Sequence, residues 1–186
     1  MKTEQMSMIK KMVLTGCCIA LCIVLPYAFH MIPNGGTIFC PMHIPVLICG
    51  LACGWQYGMI CGVSGVFLSS ILTGMPPVAI LPSMMVELAV YGLVTGILMK
   101  VIKTGKVYVD LYISLVVAMI VGRVVYGCVS AILLTNGGTS IVMWATVKFV
   151  TGLPGILLQL VLVPSIVFAL MKAKVIPMKY NAKKNQ

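Results

Sequence analysis

Three charged side chains lie inside, or at the edge of, segments that are otherwise apolar: Glu87, Arg123 and Lys148. A charge at the centre of a membrane helix costs about 2.5–3.5 kcal/mol, so such a residue usually faces a bundle interior or a water-filled cavity. A carboxylate accepts hydrogen bonds from amine or ring N–H groups, whereas Arg and Lys bind carboxylate or phosphate. The three residues therefore indicate a mixed-charge binding site for a polar solute.

Aromatic residues accompany two of these charges. Tyr91 lies one turn after Glu87, and Tyr126 lies three residues after Arg123, so each tyrosine shares a helix face with a charge. Aromatic rings at such positions are able to stack on a flat ring. The pattern therefore predicts that the solute is planar and heteroaromatic.

The composition decides the class of protein. Hydrophobic residues make up 61% of the 186 residues and charged residues only 9%, against about 25% in soluble domains. The net charge of +10 comes with no basic stripe interleaved with aromatic residues, so no nucleic-acid partner is expected. The chain is predicted to be an all-α integral membrane protein.

The basic residues predict the topology. Lys and Arg residues cluster near residues 2–11, 100–106 and 172–184, and cytoplasmic loops carry such an excess. All three clusters lie on one side only if the uncharged run 44–72 is broken in two, and the turn-forming Gly54, followed by Trp55, predicts that break. Both termini are then cytoplasmic. The predicted spans are 12–30, 43–54, 56–72, 82–99, 111–134 and 150–171, in one membrane domain with a basic cytoplasmic tail at 172–186.

The predicted outer loops, near residues 31–42, 73–81 and 135–146, contain Gly, and in the first two cases Pro, but neither Lys nor Arg. The first of them is predicted to be a shaped turn and not an extension of the first span. By the rise of a helix, Glu87 lies roughly 7–8 Å and Arg123 roughly 16 Å from the outer ends of their spans. A structural ion pair between them stays open, but the difference in depth favours contact with a solute.

The cysteines and histidines point to no metal centre. Seven of the eight cysteines fall in predicted spans, where a thiol is a small hydrophobe, and Cys40 is expected alone in an exposed loop. No CxxC pair occurs, so neither a disulfide nor a zinc site is expected. His30 and His43, with their Met and Cys neighbours, form a soft-ligand group whose spacing is not diagnostic of a metal.

A membrane enzyme is also disfavoured. The segment Gly62-Val63-Ser64-Gly65 matches the nucleophile pattern of intramembrane serine proteases. That chemistry requires a His base on a later helix, and both histidines precede this serine. No ATP-binding motif is present, so ATP hydrolysis by the chain itself is not expected.

Three segments together resemble a known family: Pro33-Asn34-Gly35-Gly36, Pro41-Met42-His43-Ile44-Pro45-Val46 and Glu87-Leu88-Ala89-Val90-Tyr91-Gly92. They are similar to the substrate-binding S components of energy-coupling factor (ECF) transporters. The resemblance implies a six-helix bundle in the bacterial cell membrane that captures a vitamin or related micronutrient. It also implies a transmembrane coupling protein and two cytosolic ATPases as partners, in addition to membrane lipid, and no cofactor.

The resemblance also implies which residues act. A small-xxx-small pair on the first span, where the family has alanines, suits docking to the coupling protein; this pair is Gly16 and Ala20. The first outer loop and the outer parts of the fourth to sixth spans would form the pocket. The expected substrate-binding residues are Asn34, His43, Glu87, Tyr91, Arg123, Tyr126, Asn136, Trp144 and Lys148.

The identity of the solute stays open at this point. A pyridine or pyrimidine vitamin, a flavin, a deazapurine base and a benzimidazole nucleoside all match the mixed charges and aromatic rings. The alternative function is a stand-alone secondary transporter or channel of the same topology.

Overall fold

The computed structural model describes residues 6–29, 35–133 and 152–177. Five of the helices in these ranges are long and apolar enough to cross a membrane, namely α1, α4, α5, α6 and α7, whereas α3 is apolar but shorter. The all-α membrane fold predicted from the sequence is therefore confirmed. The helices are α1 (Met8–Phe29), α2 (Gly35–Phe39), α3 (His43–Cys53), α4 (Trp55–Thr73), α5 (Leu81–Val101), α6 (Val107–Leu133) and α7 (Leu153–Lys172).

The bundle is apolar outside and carries polar side chains inside. Ile71, Leu72 and Ile132 are each more than half exposed, while Glu87 and Asp110 are fully buried. A surface of exposed aliphatic side chains is stable only against lipid, and buried polar groups need partners within the protein. This distribution is the one that a membrane-embedded bundle requires.

The break between α3 and α4 falls at Gly54. Its φ of 98° lies in the left-handed region, which glycine adopts without a steric penalty. The Gly54 N–H still bonds to the Gly50 carbonyl at 3.1 Å, and the next helix starts at Trp55. The predicted division of the long apolar run at this glycine is therefore correct.

Helix α3 forms the centre of the bundle. It packs against α1, α4, α5 and α7, and every residue from Pro41 to Leu51 is buried. With 11 residues it is about 16 Å long, roughly half of a hydrocarbon core of about 30 Å. The beginning of α3, at His43, therefore lies inside the protein.

Glycines bring α4 and α5 into backbone contact. A Cβ atom added at Gly92 would overlap the backbone of Gly58, and one added at Gly62 would lie 2.5 Å from the Leu88 carbonyl. Small residues at such positions allow two membrane helices to approach closely. These glycines thus serve internal packing.

Buried thiols fill the junction of α1, α3 and α4. The Thr15 hydroxyl and the Cys49 sulfur are 3.5 Å apart, and the Cys22 thiol donates to the Met42 carbonyl at 3.7 Å. All eight cysteines are free, and those buried here behave as small apolar side chains, as predicted. The buried thiols are those of Cys18, Cys22, Cys49, Cys53 and Cys61.

One end of the bundle carries lysines. The Lys11 ammonium lies 5.8 Å from the centre of the Tyr57 ring, and the Cys53 thiol reaches the Lys11 carbonyl at 3.8 Å. In the connection from α5 to α6, the Asp110 carboxylate accepts hydrogen bonds from the Thr104 N–H at 3.0 Å and hydroxyl at 2.6 Å. The buried Asp110 carboxylate therefore stabilises the turn between α5 and α6.

The opposite end contains an element that the sequence did not predict. The segment expected to be a shaped turn includes a separate short helix, α2, which packs against α7: a Cβ at Gly155 would lie 2.6 Å from the Ile38 carbonyl oxygen. The Phe29 and Phe39 rings are 5.4 Å apart, which fixes α2 against α1. Contacts with two long helices stabilise a five-residue helix that would not form alone.

The glycine contact yields a stability prediction. Gly92→Ala inserts a methyl group between the backbones of α4 and α5, and overpacking of this kind costs about 1–3 kcal/mol. We expect a lower midpoint of thermal unfolding in detergent. Gly16→Ala is the matched control, because a Cβ there meets no atom within 4 Å, and its midpoint should equal that of the wild type. Equal midpoints for both variants would contradict the close approach.

Candidate functional site

Three side chains from α3 and α5 meet at the end of the bundle opposite Lys11. The His43 Nε2 atom lies 3.7 Å from the Glu87 Oε1 atom, an ion pair when the imidazole is protonated. The Tyr91 hydroxyl is 3.4 Å from the same Glu87 oxygen and 3.3 Å from the Met119 carbonyl, and donates to these acceptors. The His43 and Tyr91 rings meet edge to face at 5.1 Å. We call His43, Glu87 and Tyr91 the polar cluster.

The polar cluster is shielded from the surroundings. Glu87 and Tyr91 are fully buried and His43 is 2% exposed. A carboxylate removed from water needs polar partners within the protein; the Tyr91 hydroxyl donates to Glu87, and the His43 imidazole lies within ion-pair distance of it. A polar assembly of this kind in an apolar bundle is costly, which makes it the first candidate for a functional site.

Helix α6 adds a positive charge beside the cluster. Arg123 is 3% exposed, and its charge interacts with the Tyr91 hydroxyl. The preceding Gly122 leaves room for the tyrosine, because a Cβ there would lie 2.8 Å from the ring. Tyr126, one turn further along α6, is half-buried. The α6 side therefore supplies hydrogen-bond donors to the site.

Helix α7 adds a residue that the sequence reasoning missed. Gln159 is fully buried, and its Nε2 atom donates to the Cys40 carbonyl at 3.3 Å. The backbone N–H of His43 donates to that same carbonyl at 3.1 Å, so Gln159 and the first residue of α3 share one acceptor. An amide side chain within an apolar span is the signal that would have identified Gln159.

Cys40 differs from its expectation. It is half-buried, not exposed, and its φ of 47° places a non-glycine residue in the left-handed region. This conformation belongs to the turn that leads from α2 into α3. The strain is tolerated because Gln159 and the first turn of α3 hold the Cys40 carbonyl.

Of the nine expected binding residues, the structure describes five. His43, Glu87 and Tyr91 are in mutual contact, while Arg123 and Tyr126 lie on the adjoining α6. His43, which was expected at the site, belongs to the first turn of α3, and it meets Glu87 and Tyr91 of the fourth predicted span. Asn34, Asn136, Trp144 and Lys148 lie outside the described residues.

The expected docking pair lies on the outer surface of α1. Gly16 and Ala20 are both exposed, and a Cβ at Gly16 would have no neighbour within 4 Å. The small residues of α1 are therefore not used for packing by the described part of this chain, unlike those of α4 and α5.

Two further features bear on the chemistry. Across residues 6–29, 35–133 and 152–177, no group of three or more His, Cys, Asp and Glu side chains is arranged to hold a metal ion.

A groove of about 270 Å³ between α4 and α5 has only apolar lining residues, among them Met59, Val63 and Met85. This groove faces outward, away from the polar cluster, and it offers a polar solute no hydrogen bonds.

Comparison with known proteins gives one match. Residues 10–173 match the family described as "ECF transporter, substrate-specific component". No curated protein and no solved structure matches the chain.

The Tyr91 geometry yields a second stability prediction. Tyr91→Phe keeps the ring against Gly122 and removes two long hydrogen bonds, so we expect a loss of about 1 kcal/mol or less. Tyr91→Ala also removes the ring and should cost about 3–5 kcal/mol. Thermal unfolding of both variants in detergent measures the difference. Equal losses would show that packing of the ring is not what holds α5 against α6.

Proposed function

The chain belongs to the substrate-specific components of ECF transporters, and from this premise we propose that it captures a heteroaromatic, vitamin-like micronutrient. The observation that carries the proposal is the polar cluster, with Arg123 beside it, inside an otherwise apolar multi-pass protein of the bacterial cell membrane. Binding at the outer face would follow from the lysine clusters, since the polar cluster lies at the end of the bundle away from Lys11.

The chemistry of the site supports a solute with two kinds of edge. Glu87 accepts hydrogen bonds from N–H groups, and the Arg123 guanidinium binds an acceptor such as a carbonyl, carboxylate or phosphate. Tyr91 and Tyr126 offer aromatic faces nearby. A planar heterocycle with donors on one side and acceptors on the other satisfies all of these groups.

Translocation would require partner subunits. We place the coupling protein against the exposed small-residue face of α1 at Gly16 and Ala20, because close approach of another helix needs small side chains. Two cytosolic ATPases would supply the energy. The chain contains no ATP-binding motif of its own.

The site assignment predicts the effect of removing its charges. Glu87→Gln and Arg123→Gln should each weaken binding of the small molecule that copurifies with the wild type by 10-fold or more, because each deletes a charge-assisted hydrogen bond. The measurement is mass spectrometry of the molecule released from equal amounts of purified protein, followed by titration of the identified molecule.

The matched control is Asp110→Asn, which alters a buried carboxylate at the other end of the bundle. It should lower the unfolding midpoint but leave the affinity unchanged. If both site variants fold and bind with wild-type affinity, the site lies elsewhere.

The docking assignment predicts a separation of binding from uptake. Gly16→Leu and Ala20→Leu should leave solute binding intact and reduce uptake by reconstituted complexes by 10-fold or more, because the added side chains keep the partner helix away. Ala131→Leu, at an exposed small position of α6, is the control and should transport normally. Uptake by vesicles that contain this chain alone would instead favour a stand-alone transporter.

A further inference from the structure

A buried amide on α7 is only half satisfied. The Gln159 Nε2 atom donates to the Cys40 carbonyl, whereas its Oε1 atom has no hydrogen-bond partner among the described residues. The side chain is fully buried. Buried carbonyl groups are rarely left without a donor, and each such group calls for an explanation.

Rotation of the amide does not remove the problem. Exchanging the nitrogen and oxygen positions would place Oε1 against the Cys40 carbonyl oxygen, and two acceptors repel each other. The observed orientation is therefore the favourable one. In this orientation the Gln159 side-chain carbonyl is the group that has no hydrogen-bond partner among the described residues.

Gln159 lies level with Glu87. Each is six residues after the first residue of its helix, which places both roughly 9 Å along α7 and α5 from their starts. Both starts lie at the same end of the bundle, because α7 contacts α2 there and Glu87 contacts the first residue of α3. The Cys40 carbonyl and His43 connect the two residues.

Among the described residues, the polar atom left without a partner on the α7 side is an acceptor, the Gln159 Oε1 atom, because one N–H of the same amide is bonded to Cys40. On α5, an ionised Glu87 carboxylate only accepts hydrogen bonds, and the Tyr91 hydroxyl is directed to Glu87 and Met119. The Arg123 guanidinium on α6 carries donors and no acceptor. The buried Ser130 hydroxyl, two turns from Arg123, also has no hydrogen-bond partner among the described residues and is able to donate or accept.

We propose that Gln159 binds the substrate through its side-chain carbonyl and accepts an N–H of the heterocycle. This inference rests on the proposed function and narrows it: the edge of the solute that faces α5 and α7 carries N–H donors, and not a carboxylate. Any carboxylate, phosphate or carbonyl of the solute faces Arg123.

Paired probes test the inference. Three pairs differ by replacement of N–H with N–CH3: riboflavin and 3-methylriboflavin, benzimidazole and 1-methylbenzimidazole, and nicotinamide and N,N-dimethylnicotinamide. Titration calorimetry on the purified full chain should show at least one pair in which the N–H member binds 10-fold or more tightly than its methylated partner. In Gln159→Met the affinity for that N–H member should fall 10- to 100-fold and the preference should nearly vanish.

The controls separate the possible failures. Ser165→Ala, which removes a hydroxyl bonded to the carbonyl of its own helix, should behave as the wild type. Equal wild-type affinity for both members of every bound pair overturns the inference without any variant, so misfolding of Gln159→Met leaves the test decisive. Loss of binding in Glu87→Gln but not in Gln159→Met shows that water satisfies the carbonyl, and the proposed function stands. If the wild type binds neither these probes nor a pyrimidine or deazapurine that carries a ring N–H, the heteroaromatic function fails and the inference fails with it.

Discussion

The structure depends on a central helix that is shorter than the hydrocarbon core of a membrane is thick. Helix α3 covers about 16 Å of a hydrocarbon core of about 30 Å, yet it is surrounded by four longer helices. Irregular backbone at membrane depth is tolerated only where protein buries it or where it lines a cavity. The turn that precedes α3 must therefore find all of its hydrogen bonds inside the bundle. The Cys40 carbonyl shows how, since it accepts both the His43 N–H and the Gln159 amide.

The same constraint accounts for the position of the polar cluster. Because α3 starts inside the protein, its first side chain, His43, reaches Glu87 and not the headgroup region. Gly50 lets α3 approach α5 closely, since a Cβ there would lie 2.7 Å from the Gly92 carbonyl oxygen, and Gly122 admits the Tyr91 ring beside α6. Small residues thus determine where the large polar ones meet. Polar groups cost stability in this environment, and close backbone packing offsets part of that cost.

Much of the fold was predictable, because hydropathy and charge asymmetry act over long segments. The six apolar segments and the break at Gly54 follow from these two signals and from the freedom of glycine at positive φ. Helix α2 was not predictable, since its stability comes from contacts with α1 and α7 that a local pattern does not contain. For the same reason, the burial of Cys40 was missed.

The candidate site was predictable by chemistry more than by geometry. Charges within apolar spans identified Glu87 and Arg123 because membrane burial makes them expensive, and that argument requires no contact map. To predict the contact between His43 and Glu87, one would need to know how deep in the bundle α3 starts. That depth depends on how all of the helices pack. Gln159 was missed because burying an uncharged amide costs less free energy than burying a charge. What distinguishes Gln159 is that its Oε1 atom has no hydrogen-bond partner among the described residues. Hydrogen-bond satisfaction is a property of neighbours, so it appears only once the helices are packed.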